Sequence, residues 1–219
     1  MDPRYEPNDR SQVRRLPERG RYDAATVHAI LDEGLVAHVG ISVDGRPVVL
    51  PMAYGRDGER LLLHGSVASR LQRHLAGEVD VCVTVTLLDG LVLARSSFHH
   101  SMDYRSVVVQ GTARRLGEDE AGPALDCIVD HLLPGRTREA RAPNDVELRK
   151  TAVLAVPLTE ASAKVRTGGP VDEPEDMGLD VWAGVLPLAL APGDPRPEPD
   201  LRPGVERPPS LSPWRRPVS

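Results

Sequence analysis

Short runs of alternating apolar and polar residues, separated by tight turns, constrain the fold of this chain more than any other feature. In the clearest run, 79–88, valine occupies every odd position from 79 to 85, while Asp, Cys and Thr occupy the even positions. This alternation places successive side chains on opposite faces of a β-strand. The run therefore predicts a strand with one buried face.

Similar runs predict further strands at 35–43, 47–54, 60–64, 91–98, 104–116 and 151–164. The predicted turns between them include Asp44-Gly45, Arg56-Asp57-Gly58 and Asp89-Gly90, because Asp and Gly tolerate the backbone angles of tight hairpins. Helices are predicted only at 24–33, 68–76 and 118–133. Strands that follow one another through tight turns favour a mainly β antiparallel barrel with short helices over a parallel α/β sheet.

Both ends of the chain differ in composition from its middle. Residues 1–20 are dense in Asp, Arg, Pro and Glu without an apolar period, which predicts a polar N-terminal tail. Residues 191–219 contain nine prolines, which exclude a regular helix or a central strand and predict a disordered tail. The folded domain is therefore predicted at 21–190.

The overall composition narrows the partners and the compartment. A net charge of -5 leaves no broad basic surface for nucleic acid, and no apolar run is long enough to span a membrane. The N-terminus has no apolar segment of the signal-peptide type, so a cytoplasmic protein is expected. Cys82 and Cys127 are expected to be reduced thiols, and no group of residues has the spacing of a zinc site.

A candidate anion site lies at residues 64–70, where a predicted strand ends and a predicted helix begins. The first turn of a helix presents unpaired backbone N–H groups and the positive end of the helix dipole. Gly65 permits close approach to the backbone, Ser66 and Ser69 can donate hydrogen bonds, and Arg70 matches the geometry of a phosphate. A plain helix cap at Ser66 with a surface arginine explains the same residues equally well.

A second candidate segment, Pro51-Met52-Ala53-Tyr54, ends the strand that precedes this corner. A proline inside a strand indicates a sheet edge or an interrupted ladder. An interruption frees backbone groups for a ligand, whereas an ordinary edge gives the same pattern without one. The segment alone therefore leaves both interpretations open.

A third segment, 95–106, places polar, aromatic and cationic residues between two apolar strands. Phe98 and Tyr104 flank the adjacent His99 and His100. This composition is typical of a functional loop on a rigid scaffold, although a solvated loop can share it. Adjacent histidines in a strand point to opposite faces, so at most one of the two is expected to reach any given site.

Taken in order, these segments resemble a known family. The succession of PMAY, LHGSVASR, DGLVLARSSFHHSMDYRSVVVQG, AKVRTGGPVDEPED and VWAGVLPL resembles the flavin-nucleotide-binding branch of the pyridoxamine 5'-phosphate oxidase-like family, which includes nitroimidazole-resistance proteins. The resemblance covers about residues 16–190. It implies a split β-barrel that forms a homodimer and binds FMN in clefts at the subunit interface.

The resemblance also implies which residues hold the cofactor. The isoalloxazine ring would lie along Val49, Leu50, Pro51, Met52 and Ala53. The phosphate would be held by Ser69 and Arg70, near His64, Gly65 and Ser66. The cleft would also be lined by Thr86 or Thr84, by Tyr104, Arg105 and Ser106 from the other subunit, and by the late residues Lys164, Arg166 and Trp182.

The function implied is that of an FMN-dependent oxidoreductase acting on a small molecule, with His64 as its acid–base residue. A structural role for His64 fits the sequence equally well. The basic C-terminal signature of true pyridoxamine 5'-phosphate oxidases is absent, so vitamin B6 oxidation is not expected. Asp103 stands where relatives often have Asn, which either changes the charge of the pocket or points to solvent.

Two alternatives remain open for the function. The first is a non-catalytic flavin carrier or sensor, which the lack of an obvious pair of proton donors favours. The second keeps the fold and changes the cofactor to a deazaflavin or to haem, whose iron could be bound by His64, His99 or His100. The phosphate corner favours a flavin over haem.

Overall fold

The structure of the chain is a computed structural model that describes residues 4–67 and 78–211. Its strands in these ranges are β1 Gly20–Arg21, β2 Ala37–Val43, β3 Arg46–Met52, β4 Tyr54–Asp57, β5 Arg60–Ser66, β6 Val79–Leu93, β7 Ser101–Arg115, β8 Thr151–Pro157, β9 Glu160–Arg166 and β10 Gly184–Pro187. Its helices there are α1 Ala24–Glu33, α2 Glu118–Leu132 and α3 Asp145–Lys150. The prediction of a mainly β, antiparallel fold with short helices is confirmed, and the helix predicted at 68–76 lies outside the described residues.

The chain divides into two compact units. The first comprises Met1–Gly34, Val83–Gln110 and Thr159–Leu190, and the second comprises Leu35–Cys82, Gly111–Leu158 and Ala191–Ser219. The long strands β6 and β7 contribute residues to both units. The candidate residues are therefore described below unit by unit.

In the first unit, β9 pairs antiparallel with both β1 and β7. Helix α1 begins where Asp23 accepts a hydrogen bond from the backbone N–H of Thr26 at 2.8 Å, as its position before the helix predicts. The helix buries Val27, Ile30 and Leu31 on one face, which is the apolar stripe expected from the sequence.

The segment predicted as a polar N-terminal tail makes contacts within this unit. Tyr5 is buried, and its hydroxyl lies 2.8 Å from Nε2 of His28 on α1. The backbone N–H of Val13 donates to the hydroxyl of Tyr22, and the side chain of Gln110 donates to the carbonyl of Arg10, each at 2.8 Å. These contacts attach the segment to α1 and β7.

In the second unit, β2 and β3 form the hairpin predicted at Asp44-Gly45, whose φ angles are 50° and 72°. Strand β5 pairs with β4 on one side and with β8 on the other. Helix α2 packs its buried face, including Ala124 and Ile128, against Leu62 and Val153. Burial of these apolar side chains stabilises the unit by removing them from water.

The turn predicted at Asp89-Gly90 is wrong, because β6 runs through it without a break. Gly90 pairs with Pro187 of β10, which the sequence did not predict as a strand. A Cβ at position 90 would lie 3.0 Å from Cγ1 of Val185 and 3.2 Å from the carbonyl oxygen of Leu186. The glycine therefore permits close packing of β10 and does not form a turn.

Two other boundaries differ from the prediction. The single strand expected at 151–164 is in fact β8 and β9, which end and begin on either side of Leu158 and Thr159. The strand expected at 91–98 ends at Leu93, and Ser97–His99 form a 3-10 helix. Ser96 caps this helix by accepting a hydrogen bond from the N–H of Phe98 at 3.3 Å.

Candidate functional site

The end of β3, which the sequence predicts to lie along a flavin ring, is a sheet edge in the second unit. Strand β3 is the terminal strand in the order of the sheet and pairs with β2. Val49 is 61 % exposed and Pro51 is also exposed, while Leu50, Met52 and Ala53 are half-buried. Proline suits this edge because it lacks the N–H that a further strand would require. Apolar surface is therefore available to a ligand here.

His64 lies on β5 of the same unit and pairs across the sheet with Val153 of β8. Its Nδ1 is buried, and the described residues offer that nitrogen no hydrogen-bond partner. Burial lowers the pKa of His64 below its ordinary value of 6.5, so the ring is neutral at pH 7. A buried nitrogen without a partner is costly, and it marks a position where a ligand can supply the missing bond.

The predicted phosphate corner is described only at its beginning. Gly65 pairs with Ala152, and Ser66 is exposed at the end of β5 opposite Thr151. The N–H of Val67 then donates to the carbonyl of Lys150 at 3.1 Å. Ser69 and Arg70 lie outside the described residues, so their role in phosphate binding stays a prediction.

The second unit also contains a cavity of about 450 Å³ that the sequence did not reveal. Apolar residues and charges of both signs line it: Arg115, Leu116, Gly117, Glu118, Ala121, Asp145, Leu148, Arg149, Thr151 and Val153. Its volume lies within the range of small-molecule sites. The residues come from β7, α2, α3 and β8, so no local motif in the sequence could have indicated the cavity.

In the first unit, the structure brings together several residues predicted to approach the flavin. Tyr104 and Ser106 of β7 pair with Arg166 and Lys164 of β9. The hydroxyl of Ser106 donates to the carbonyl of Lys164 at 3.4 Å. The ammonium group of Lys164 donates to the carbonyl of Arg15 at 2.9 Å. The pairing of β7 with β9 therefore brings Tyr104, Ser106, Lys164 and Arg166 together within this unit.

Arg105, which is also a predicted flavin contact, is held by two carboxylates. Its guanidinium donates to Asp89 at 2.9 and 2.8 Å and to Glu33 at 2.5 and 2.8 Å. These hydrogen bonds raise the pKa of Arg105, so the side chain stays charged at any pH the fold tolerates. Any flavin group that reached this guanidinium would compete with both acids.

Asp103 forms a buried ion pair with Arg166. The carboxylate accepts from the guanidinium of Arg166, and only 12 % of the Asp103 side chain and 9 % of the Arg166 side chain are exposed. Arg166 also donates to the carbonyls of Gly168 and Gly169 at 3.3 and 3.4 Å. Asp103 therefore does not point to solvent, and its charge is neutralised within the unit.

The segment that follows β9 is attached to the segment that precedes β7. Arg95 donates to Asp172 through its backbone N–H and its guanidinium, both at 2.8 Å. Nε2 of His99 lies 3.5 Å from a carboxylate oxygen of Glu173. Among the predicted contacts in this unit, Thr86 is exposed on β6 and Trp182 is 67 % exposed just before β10. Arg95 and Asp172 lie within the motifs, but the motifs did not indicate that the two residues pair.

These features define a mainly β, antiparallel protein with its candidate ligand-binding residues at strand ends. Residues 23–165 match the family model described as pyridoxamine 5'-phosphate oxidase, and the chain belongs to that family. The sequence-based assignment to this family is thus confirmed. The match ends one residue before Arg166, so the segment from Arg166 onward lies beyond it.

Two solved structures resemble nearly the whole chain. Flavocytochrome Anf3 from Azotobacter vinelandii is 40% identical, with 96% of this chain and 99% of that chain covered and a TM-score of 0.90. An FAD and haem binding protein from Mycobacterium smegmatis is 38% identical, with 89% and 96% covered and a TM-score of 0.85.

A third solved structure resembles a smaller part of the chain. It is a candidate 5-nitroimidazole antibiotic resistance protein from Bacteroides thetaiotaomicron, 28% identical, with 65% of this chain and 84% of that chain covered and a TM-score of 0.53. No curated protein sequence matches the chain. Within residues 4–67 and 78–211, no helix has the length and apolarity to cross a membrane.

Proposed function

We propose that this chain is a redox protein that binds a flavin, FAD, together with haem, and that it acts as an oxidoreductase on a small molecule. The sequence alone favours FMN. FAD and haem are what the Mycobacterium smegmatis relative binds, and the Azotobacter vinelandii relative is a flavocytochrome. At 38 to 40% identity, a common cofactor set is the simplest expectation for this chain.

The observation that carries the proposal is the extent of the similarity. The family match stops at residue 165, whereas the flavocytochrome covers 96% of this chain and 99% of its own. That coverage necessarily includes most of the residues after 165. The nitroimidazole-resistance structure covers only 65% of the chain. The chain thus shares with the two flavin- and haem-related proteins the segments that extend beyond the general family domain.

The second unit has groups that fit a flavin. An isoalloxazine ring requires apolar walls and a few hydrogen-bonding groups. Exposed Val49 and Pro51 offer apolar surface at the sheet edge, and the buried Nδ1 of His64 lacks a partner in the described part of the chain. When bound, a flavin exchanges hydride or electron pairs and a haem exchanges single electrons. His64 remains the predicted acid–base residue of this site.

The absorption spectrum of the purified protein tests the cofactor set directly. We expect two flavin bands and a haem Soret band, and we expect heat to release a ligand with the mass of FAD. An FMN mass would contradict the assignment of FAD, and a missing Soret band after growth with a haem precursor would contradict haem. A colourless protein that binds neither added flavin nor added hemin would overturn the proposal. Light scattering on the loaded protein checks the predicted homodimer.

His64→Ala is expected to weaken flavin binding about fivefold, because one hydrogen bond is worth about 1 kcal/mol. Flavin is titrated into protein from which the bound flavin has been removed, and the quenching of flavin fluorescence gives the affinity. Thr112→Ala is the control, since Thr112 is an exposed residue on β7 of the same unit, donates a hydrogen bond to Asp80 and is not a candidate contact. Equal flavin affinity in the His64 variant and the wild type would remove His64 from the site.

A further inference from the structure

We propose that His100 binds the haem iron through Nε2. The inference rests on the proposed function, since it names the residue that would hold the haem. It concerns the first unit, where residues 95–103 and 166–173 are joined by ion pairs.

The ring of His100 is set in the orientation that a metal ligand needs. Its Nδ1 lies 3.0 Å from the carbonyl oxygen of Ser96. A carbonyl only accepts hydrogen bonds, so Nδ1 carries the proton and Nε2 of the neutral ring keeps a free lone pair. Histidines that bind metals are commonly fixed in this way, with one ring nitrogen donating to a carbonyl and the other facing the metal. The side chain of His100 is exposed, so Nε2 is accessible to a planar macrocycle.

Two other histidines have Nε2 beside a polar partner, and a third is assigned to the flavin site. Nε2 of His28 lies 2.8 Å from the Tyr5 hydroxyl, and Nε2 of His99 faces Glu173 at 3.5 Å. His64 is assigned to the flavin site, and its Nδ1 has no hydrogen-bond partner among the described residues that would orient the ring as a carbonyl does. Each of these three rings therefore lacks the combination found at His100.

The two remaining described histidines lack one of the two requirements. The ring of His131 is half-buried and stacks on the ring of Tyr54, with 4.6 Å between centroids. His38 is exposed on β2, but no hydrogen bond within the described ranges orients its ring. Of the histidines the structure describes, His100 alone combines an accessible Nε2 with a carbonyl bond at Nδ1.

Two exposed apolar residues lie close to His100 in the sequence. Phe98 is the only phenylalanine of the chain, and 87 % of it is exposed two residues before His100. Met102 is 50 % exposed two residues after it. Large apolar groups left in water next to His100 in the chain are explained if a flat apolar ligand covers them. Haem has this shape and chemistry, and histidine is one of the side chains that hold its iron.

The ion pairs connect this segment to the part of the chain that the flavin- and haem-related structures share. Asp172 and Glu173 lie beyond the end of the family match, and they contact Arg95 and His99. Coverage of 96% by the flavocytochrome includes most of that extension. The extension thus supports the residues immediately before His100, which gives the additional segment a role in haem binding.

The test compares haem binding in His100→Ala with one control, His38→Ala, in the full chain, since His38 is an exposed histidine of the other unit. Hemin is titrated into each protein and the Soret band is followed. We expect at least a tenfold loss of affinity in His100→Ala alone, with added imidazole restoring the Soret band. Flavin content per chain is measured in parallel to show that the fold is intact. A purely structural role of His100 would not respond to imidazole.

A second variant, His100→Met, keeps the size of the side chain and replaces nitrogen with sulfur. If position 100 contacts the iron, the Soret band of this variant shifts even where the alanine variant is too unstable to purify. An unshifted band with wild-type affinity, or loss of haem in a variant of any other histidine instead, would overturn the assignment and leave the proposed function standing. A wild-type protein that binds flavin but no hemin would overturn the haem part of the proposed function itself.

Discussion

Replacing Arg166 with Met is expected to lower the free energy of unfolding by about 3 to 5 kcal/mol. The variant leaves Asp103 as a buried carboxylate without its counter-charge, since only 12 % of that side chain is exposed. It also removes the hydrogen bonds to the carbonyls of Gly168 and Gly169, which begin the segment after β9. Urea denaturation followed by circular dichroism measures the difference.

The control for this prediction is Arg14→Met, because Arg14 pairs with Asp9 at 3.5 Å with both side chains largely exposed. Exposed pairs contribute little, so no measurable change is expected there. In the double variant Arg166→Met with Asp103→Leu, much of the lost stability should return, because no buried charge remains unpaired. Equal stability of the Arg166 and Arg14 variants would contradict the buried pair.

Arg105→Met is expected to lower the free energy of unfolding at pH 7 by about 2 kcal/mol, less than a fully buried ion pair because water still reaches the cluster. Without the guanidinium, Glu33 and Asp89 lose the counter-charge that they share, with only 17 % and 32 % of their side chains exposed.

Urea unfolding of the Arg105 variant and the wild type at pH 7 measures the difference. Arg60→Met is the matched control, since Arg60 also binds two carboxylates, Asp57 and Glu120, but is more exposed at 33 %. A loss of stability no larger than that of the Arg60 variant would contradict the prediction.

Local sequence patterns predict a strand well where the strand ends in a turn formed by its own neighbouring residues. They predict it poorly where it pairs with a strand that is distant in the sequence. Asp44-Gly45 and Asp89-Gly90 are the same dipeptide, yet only the first forms a hairpin. Its φ angles are positive, whereas Gly90 is extended and packs against Val185. Strand β10 lies about a hundred residues further along the chain, so nothing near Asp89 could indicate that it would pair there.

The candidate-site residues likewise divide into those that local sequence patterns identify and those that only the tertiary structure brings together. The motif at His64 and the edge proline at Pro51 could be identified locally, because both depend on the residue type and its neighbours in the chain. The ion pair of Asp103 with Arg166 joins residues 63 positions apart, and that of Arg95 with Asp172 joins residues 77 positions apart. Such pairs arise from tertiary structure, and a single sequence does not reveal them.

For the adjacent histidines, the sequence predicts only part of the arrangement. From the sequence, His99 and His100 are expected to face different environments, but the pattern does not say which one remains accessible. The structure separates them, because Nε2 of His99 faces Glu173 while Nδ1 of His100 faces the carbonyl of Ser96. The partner of His99 belongs to the extension after β9, which explains why the local pattern left the choice open.

The two prolines of β3 also bear on how the protein avoids aggregation. Pro47 and Pro51 pair with Ser42 and His38 of β2, and their four-residue spacing puts both missing N–H groups on the same side of the strand. That side faces away from β2, where a strand of another molecule would otherwise add to the sheet. Of the three positions on this side within β3, only Val49 retains a donor. The edge therefore resists fibril-like stacking even while its apolar side chains stay open to a ligand.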